Sequence, residues 1–158
     1  MRKIVQLALC ALMLVAGRGL AQDKASNTNM EILKDKIKAD KKLLVADNMD
    51  LTDKEAKGFW PLYDAYQKDL QKINERLGKV ISSYAEAYNQ NSLTDAQAKQ
   101  MISDAIVVDE SEAQLRRSYA AKLGKVLPGK KVARYLQIES KIRALIRFDL
   151  AGQIPLIE

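Results

Sequence analysis

The chain has 158 residues, of which 47% are hydrophobic and 29% charged, a composition typical of one folded domain. It contains no His and a single Cys, so neither a Ser-His-Asp nor a Cys-His catalytic set can be assembled, and a zinc site built from His and Cys lacks its ligands. The formal net charge is +6. Most of the familiar enzyme and metal-protein classes are therefore excluded, and no cofactor is expected.

Residues 1–21 have the organisation of a secretory signal peptide. Arg2 and Lys3 precede an apolar stretch over residues 4–16, and Gly19 and Ala21 place small residues at the −3 and −1 positions of a cleavage site. The apolar stretch is shorter than the roughly 20 residues that span a bilayer, which argues against a membrane anchor. We expect cleavage after Ala21 and a periplasmic location.

The mature chain would be nearly balanced in charge. Without the three basic residues of the signal peptide, 23 basic and 20 acidic side chains remain, a net charge of +3. Cys10 leaves with the signal peptide, so no disulfide can stabilise the mature protein. Residues 22–28 are polar and predict a flexible leader, and 29–158 predict a single helical domain stabilised by packing alone.

The first predicted helix begins with the capping pair Thr28 and Glu31 and runs to about Asp47. Its apolar face is thin: Met30, Leu33, Ile37 and Leu44.

The second element carries the clearest periodicity in the chain. Nine apolar or aromatic residues follow each other in alternating steps of four and three: Phe59, Tyr63, Tyr66, Leu70, Ile73, Leu77, Val80, Tyr84 and Ala87. Such a seam predicts a helix packed lengthwise against an almost parallel or antiparallel neighbour. Because Pro61 cannot donate a hydrogen bond to the carbonyl of Lys57, we expect a capped turn at 53–59, a bend, and a long helix from Pro61 to about Tyr88.

Two further helices are predicted after residue 93. The third starts at Thr94 and runs to about Val126, with an apolar stripe of Ala98, Met101, Ala105, Val108, Leu115, Tyr119, Leu123 and Val126. The fourth runs from about Lys130 to Ala151 and is expected to turn Val132, Tyr135, Leu136, Ile142, Leu145, Ile146 and Leu150 inward. No alternating strand pattern of useful length occurs. The prediction is an all-α fold of four helices in which the second and third form a long antiparallel hairpin.

A short internal repeat marks two of the helix starts. Residues 51–57 (LTDKEAK) and 93–99 (LTDAQAK) are identical at five of seven positions. In each copy the Thr is a predicted N-cap, the residue three positions later can reach back to it, and a Leu precedes the cap where a hydrophobic staple begins; these residues are Leu51, Thr52, Glu55, Leu93, Thr94 and Gln97. On this evidence alone, two well-capped helices explain the repeat.

The pattern L-T-x-x-Q, intact at Leu93–Gln97 and degenerate at Leu51–Glu55, resembles the signature of the Spy/CpxP family. The resemblance covers residues 28–126 in architecture and about ten residues in motif. It implies an exported, periplasmic all-α protein whose bent helical hairpins dimerise into a cradle. It further implies ATP-independent chaperoning of unfolded or aggregation-prone proteins on a basic, partly apolar surface, or inhibition of an envelope stress sensor.

Two features depart from that family pattern. The first motif ends in Glu55 instead of Gln, and residues 128–158 match nothing in it. Relatives that sense metals use His-rich and Met-rich segments, and the mature chain has no His and only Met30, Met49 and Met101, so we expect no metal site.

Two side-chain clusters on the predicted helices are candidates for a functional site. Asp104, Asp109, Glu110 and Glu112 form an acidic stretch whose spacing suits neither general acid–base catalysis nor Ca²⁺, so a solvated or salt-bridged face and no enzyme are predicted. Phe59, Trp60, Tyr63 and Tyr66 are aromatic neighbours of Pro61 and are expected to fill the core. Trp60 lies off the strict seam and is the cluster member most suited to a client-binding surface.

Charge is concentrated towards the C-terminus. Residues 113–158 carry ten basic and three acidic side chains, whereas residues 22–112 carry 13 and 17. On a helical wheel Lys130, Arg134, Lys141 and Phe148 share the face opposite the apolar arc, and Arg143 flanks that arc. This face is either solvated or a binding surface; nucleic acid is excluded as a partner because the protein is expected to be exported.

The leading hypothesis is a dimeric, periplasmic holding chaperone or stress adaptor that binds unfolded polypeptide. The runner-up is a structural or regulatory module that binds one folded envelope partner through the C-terminal segment. Attachment of the same basic face to an anionic membrane surface is a third possibility. The client, the partner and the inducing stress leave no mark in the sequence.

Overall fold

The computed structural model describes residues 40–157, and all regular structure in that range is helical. Four helices follow in chain order: α1, helical over residues 40–49, then α2 (Asp53–Asn89), α3 (Asp95–Leu123) and α4 (Gly129–Gln153). No strand occurs between residues 40 and 157, so the all-α prediction is confirmed. The predicted signal peptide, the leader and the start of the first helix lie outside the described residues.

The described chain divides into two compact units. One contains residues 40–50 together with Leu145–Pro155; the other contains Leu51–Ala144 with Leu156 and Ile157. In the first unit α1 continues to residue 49, and Val45 and Met49 are its buried side chains. Leu44, predicted to lie on the inner face, is 46% exposed, so that assignment was wrong. With few apolar residues in the segment, the spacing chose the wrong face.

α2 is one continuous helix that contains Pro61, which corrects the predicted separation of a capped turn at 53–59 from a helix that starts at Pro61. A proline inside a helix loses one backbone hydrogen bond and costs about 3 kcal/mol. Pro61 itself is exposed, whereas the neighbouring Phe59 and Tyr63 are buried. Packing of these aromatic side chains on both sides of the proline holds the helix together across it.

α2 and α3 pack against each other as an antiparallel pair. The rings of Tyr66 and Tyr119 lie 5.2 Å apart, and the Tyr119 hydroxyl donates a 2.9 Å hydrogen bond to Asp69. Further along α2, Arg76 donates a 2.6 Å hydrogen bond to Ser111. Residue numbers therefore rise along α2 as they fall along α3.

The predicted seam of α2 is largely inside. Six of the nine positions are buried: Phe59, Tyr63, Tyr66, Leu70, Ile73 and Ala87. Leu77, Val80 and Tyr84 are half-buried. On α3, Val108, Tyr119 and Leu123 are the buried apolar positions of the predicted stripe.

The part of α4 that precedes residue 145 lies along α2 in the same direction. Lys131 contacts Glu55 near the start of α2, and Arg143 contacts Asn74 farther along it. Val132 and Tyr135 are the buried apolar side chains of α4. Leu145 and Ile146, predicted to face inward, are exposed at 71% and 55%. That prediction was wrong because an amphipathic pattern does not say how far along a helix a neighbour extends to cover it.

Candidate functional site

Both copies of the repeat form capping boxes. At the start of α2, the Thr52 hydroxyl accepts from the Glu55 amide at 3.4 Å, and the Glu55 carboxylate accepts from the Thr52 amide at 2.8 Å. At the start of α3, the corresponding distances for Thr94 and Gln97 are 3.3 and 2.9 Å. Leu51 and Leu93, which precede the caps, are half-buried. The motif residues therefore have a structural role that is complete within each helix start.

Glu55 is the residue at which the first copy departs from L-T-x-x-Q. Its negative charge forms an ion pair that a neutral Gln could not form. Its carboxylate accepts a 2.6 Å ion-pair hydrogen bond from Lys131 of α4. This bond from Lys131, followed by the backbone bond from Thr52, lowers the pKa of Glu55 to about 2. The first motif copy thus joins α2 to α4. Nothing in the sequence pattern singled out Lys131, which lies 76 positions away.

Three of the predicted binding residues form what we call the basic stripe: Lys130, Arg134 and Lys141. All three side chains are exposed, and none forms an ion pair with another described residue. Their spacing of four and seven residues places them on one side of α4. Lys131 and Arg143, in contrast, are directed towards acidic side chains of α2 and α3. α4 therefore separates structural cations from solvent-facing ones.

Trp60 and Phe148, the two aromatic candidates, differ in their surroundings. Trp60 is half-buried, with its ring edge-to-face on Phe59 and Tyr63 at centroid distances of 5.0 and 5.5 Å. It therefore belongs to the aromatic cluster of α2. Phe148 is 80% exposed on α4. Of the two, Phe148 presents the larger apolar area to a partner.

Exposed apolar side chains also occur on α3, where the sequence analysis did not place them. Ile102, Ile106 and Val107 are each about half exposed. Ile102 and Ile106 are one helical turn apart and point to the same side of the helix. This face differs from the stripe of Val108 and Tyr119 that packs inside. The sequence of α3 has apolar residues on two faces of the helix, and this pattern could have predicted the second, exposed face.

The acidic stretch of α3, predicted to be solvated or salt-bridged, contains both kinds of side chain. Asp104, Asp109 and Glu110 are exposed, whereas Glu112 is only 3% exposed, a burial that the prediction did not include. Its carboxylate forms an ion pair with the Nε of Arg143. A buried carboxylate needs a partner of opposite charge or hydrogen bonds. Here that partner comes from another helix, so the spacing of acidic residues along α3 could not reveal it.

The inward side of α4 carries a run of residues spaced by four, which we call the polar ladder: Lys131, Tyr135, Glu139 and Arg143. The Gln67 amide donates to Glu139 at 2.8 Å and to the Tyr135 hydroxyl at 3.3 Å. Burial, with nearby Glu139, raises the pKa of Tyr135 well above its usual value, so its hydroxyl stays protonated. All four rungs are therefore ionisable groups that contact polar partners on α2 or α3.

Comparisons of the chain with protein-family models, with curated proteins and with solved structures found no match.

None of the helices within residues 40–157 is both long enough and apolar enough to cross a membrane.

Groups of three or more potential metal-ligating side chains do not occur in the described part of the chain.

Proposed function

We propose that this protein is an exported, ATP-independent holding chaperone or envelope stress adaptor that binds unfolded polypeptide through basic and apolar helical surface. The observation that carries the proposal is the basic stripe of α4, which places three exposed cations on one side of the helix. The exposed side chains of Phe148, Ile102 and Ile106 supply apolar contact. The resemblance to the Spy/CpxP family suggests that this combination of basic and apolar surface binds unfolded clients. The same resemblance suggests that the protein is a dimer.

The two kinds of side chain would act at different steps of binding. Charges attract an oppositely charged chain at long range and raise the association rate, and this effect fades as salt rises beyond roughly 0.15 M, where the screening length is about 8 Å. Apolar contacts act at short range and slow dissociation. Such a surface has no pocket specific for one sequence. Binding would be weak, rapid and broad.

The first test is therefore whether the protein acts on several unrelated clients. Purified mature protein, at equimolar or lower amounts and without ATP, should suppress the aggregation of several unrelated denatured proteins. Light scattering at 360 nm or a similar wavelength measures this directly. Failure with every client would refute the chaperone proposal.

Stopped-flow binding to one denatured client locates the surface. The double variant Arg134→Glu/Lys141→Glu should slow association at low salt and approach the parent rate at high salt. Phe148→Ser should leave association almost unchanged and speed dissociation. Lys68→Glu/Lys79→Glu, which reverses two exposed cations of α2, is the control matched in charge. Parent-like binding by both folded test variants at both salt concentrations would show that the basic stripe and Phe148 are merely solvated.

One observation favours a second candidate, a module that binds a single folded envelope protein through its C-terminal segment. Three large exposed apolar side chains lie within four residues of α4: Leu145, Ile146 and Phe148. A concentrated apolar segment suits a defined partner site better than a diffuse client surface. Co-purification of one envelope protein, lost in Phe148→Ser, together with no activity on denatured clients, would favour this alternative.

A further inference from the structure

The part of α4 over residues 129–144 is attached to the rest of its unit largely through polar contacts. Its buried side chains are Val132, Tyr135 and Glu139, and three further apolar side chains are half-buried: Leu136, Ile138 and Ile142. Lys131 pairs with Glu55, Arg143 pairs with Glu112, and Gln67 donates hydrogen bonds to Glu139 and Tyr135. Ion pairs gain little net free energy over the separated, hydrated charges, although they specify one register. The charged side chains therefore fix the position of this segment, and water can solvate them when the segment detaches.

An aromatic face lies beneath the same segment. The Tyr135 ring lies 5.1 Å from Phe59, 6.1 Å from Tyr63 and 5.9 Å from Tyr66, in edge-to-face arrangements. Tyr135 is therefore one aromatic side chain seated among three of α2. Clustered aromatic side chains of this kind are what an apolar segment of another polypeptide would bind.

The α2–α3 pair has contacts of its own that do not involve α4. Tyr66 packs on Tyr119, and the Tyr119 hydroxyl bonds to Asp69. Leu70 and Ile73 are buried on α2, and Val108 is buried on α3. Residues 124–128 join α3 to α4 without regular helix, which provides a place for the chain to bend. Departure of residues 129–144 need not unfold the pair.

We infer that residues 129–144 of α4 are a detachable strap that covers a latent, aromatic client-binding face formed by Phe59, Tyr63 and Tyr66. This inference rests on the proposed function and names a regulation of it: an apolar client segment competes with Tyr135 for the face. Because clients bind only the open form, the apparent affinity is reduced by the fraction of molecules that are open. Variants that loosen the strap therefore bind clients more tightly.

Hydrogen exchange of the full mature chain tests whether the strap opens separately. The variant Lys131→Ala/Glu139→Ala removes two rungs of the polar ladder, and Arg134→Ala/Lys141→Ala is the matched control on the exposed side of α4. We expect amides of residues 132–144 to exchange at least tenfold faster in the first variant, while residues 66–73 keep their protection. Unchanged exchange in the strap, or an equal rise in α2 and α3, would overturn the inference.

A covalent lock tests the competition. A carbodiimide joins the Glu55 carboxylate to the Lys131 amine as an amide, taking up the released water as a urea, and the 2.6 Å contact suits this zero-length reaction. Lys131→Arg keeps the charge but cannot form this amide, so it controls for all other modification. The locked protein should lose client affinity at least tenfold relative to treated Lys131→Arg, and equal affinity of the two would refute the competition.

The two proposals fail separately. If no denatured client binds the parent protein or the loosened variant, the proposed function is wrong, whatever the exchange data show. If clients bind but the strap opens only with the whole unit, the function stands and the strap is wrong. The emission of Trp60, the only Trp of the chain, reports opening without a client because its ring contacts Phe59 and Tyr63.

Discussion

Arg143 illustrates how one side chain can matter more than its exposure suggests. Its side chain is mostly buried, and its guanidinium neutralises Glu112, while a second nitrogen donates to Asn74 at 3.3 Å. An arginine that bridges two helices in this way sets their register. Its charge is therefore directed inward, whereas Lys141, two residues earlier in α4, is exposed.

Removal of Arg143 should be strongly destabilising. Arg143→Met leaves the Glu112 carboxylate buried without its cation, and we expect the free energy of unfolding to fall by about 3 kcal/mol. The double variant Glu112→Leu/Arg143→Met should recover most of that loss, since two apolar groups need no partner. Urea denaturation measures both, and Lys141→Met should stay within about 0.5 kcal/mol of the parent. An additive double variant would contradict the pairing.

Glu55 should make stability depend on acid. Its pKa is about 2 in the folded protein against an ordinary value of 4.5, so the ionised form stabilises the fold. That stabilisation is complete above pH 4.5 and is lost as the pH falls towards 2. Glu55→Gln restores the residue found in the second motif copy and keeps the cap but not the ion pair with Lys131.

We therefore expect Glu55→Gln to lower the melting temperature at pH 7 and to reduce the loss between pH 4.5 and 2. Thermal melts across that range measure both effects. Gln97→Glu is the reciprocal control, since the exposed cap of α3 has no Lys131 opposite it. The same acid dependence in Glu55→Gln and the parent would mean that other carboxylates dominate.

The connection after α3 packs closely on α2 at Gly58. A Cβ atom built at Gly58 would lie 2.9 Å from the Cβ of Val126, closer than real contacts allow. Gly78, in the same helix, has no atom within 4 Å of the corresponding position. Close packing against Val126 thus favours glycine at position 58, whereas the surroundings of Gly78 leave room for a side chain.

Alanine substitutions at these glycines should have opposite effects. Alanine favours a helix by about 1 kcal/mol over glycine, so Gly78→Ala should be stabilising by up to that amount. Gly58→Ala gains the same propensity but must displace Val126, and overpacking costs about 1–3 kcal/mol. Chemical denaturation should show a net loss for Gly58→Ala. Stabilisation by both substitutions would mean that Val126 adjusts freely.

The buried seam of α2 holds its unit together, because its aromatic residues contact both α3 and α4. Leu70→Asp and Ile73→Asp should each unfold this unit, because an unpaired buried carboxylate costs several kcal/mol against a typical total of about 5 to 15. Lys68→Asp and Lys72→Asp alter exposed positions of the same helix and should remain folded. Circular dichroism melts distinguish the four variants. Equal melting temperatures would contradict the assignment of the seam.

Over the whole chain, the charge asymmetry has a structural part and an available part. The C-terminal excess of cations includes Lys131 and Arg143, whose charges are matched by Glu55 and Glu112. The remaining exposed cations, not the total net charge, are what a partner would meet.

Export predicts a defined start for the mature chain. We expect the periplasmic fraction to contain a protein that begins at Gln22, because the charged, apolar and cleavage regions of residues 1–21 are in order. Intact-mass measurement gives the start directly. Ala21→Arg should block cleavage and leave the longer chain. A parent protein that keeps Met1 or stays in the cytoplasm would remove the basis for a periplasmic chaperone.

Local chemistry made much of this fold predictable. The Thr52 and Thr94 caps depend on groups three residues apart, and the helical period of α2 depends on neighbours one turn apart, so both are legible in the sequence. The all-α class follows from the same local signals. These features do not require knowledge of which helices meet.

Tertiary contacts decided the rest, because the free energy of a charge in the interior depends on its partner. Glu112 and Arg143 are conventional surface residues until α3 and α4 meet, and Lys131 acquires its role only opposite Glu55. Pro61 is tolerated because aromatic packing holds the helix on both sides of it. Periodicity along one helix records neither the identity nor the extent of its neighbours, and for that physical reason the polar ladder of α4 could not be read from the chain alone.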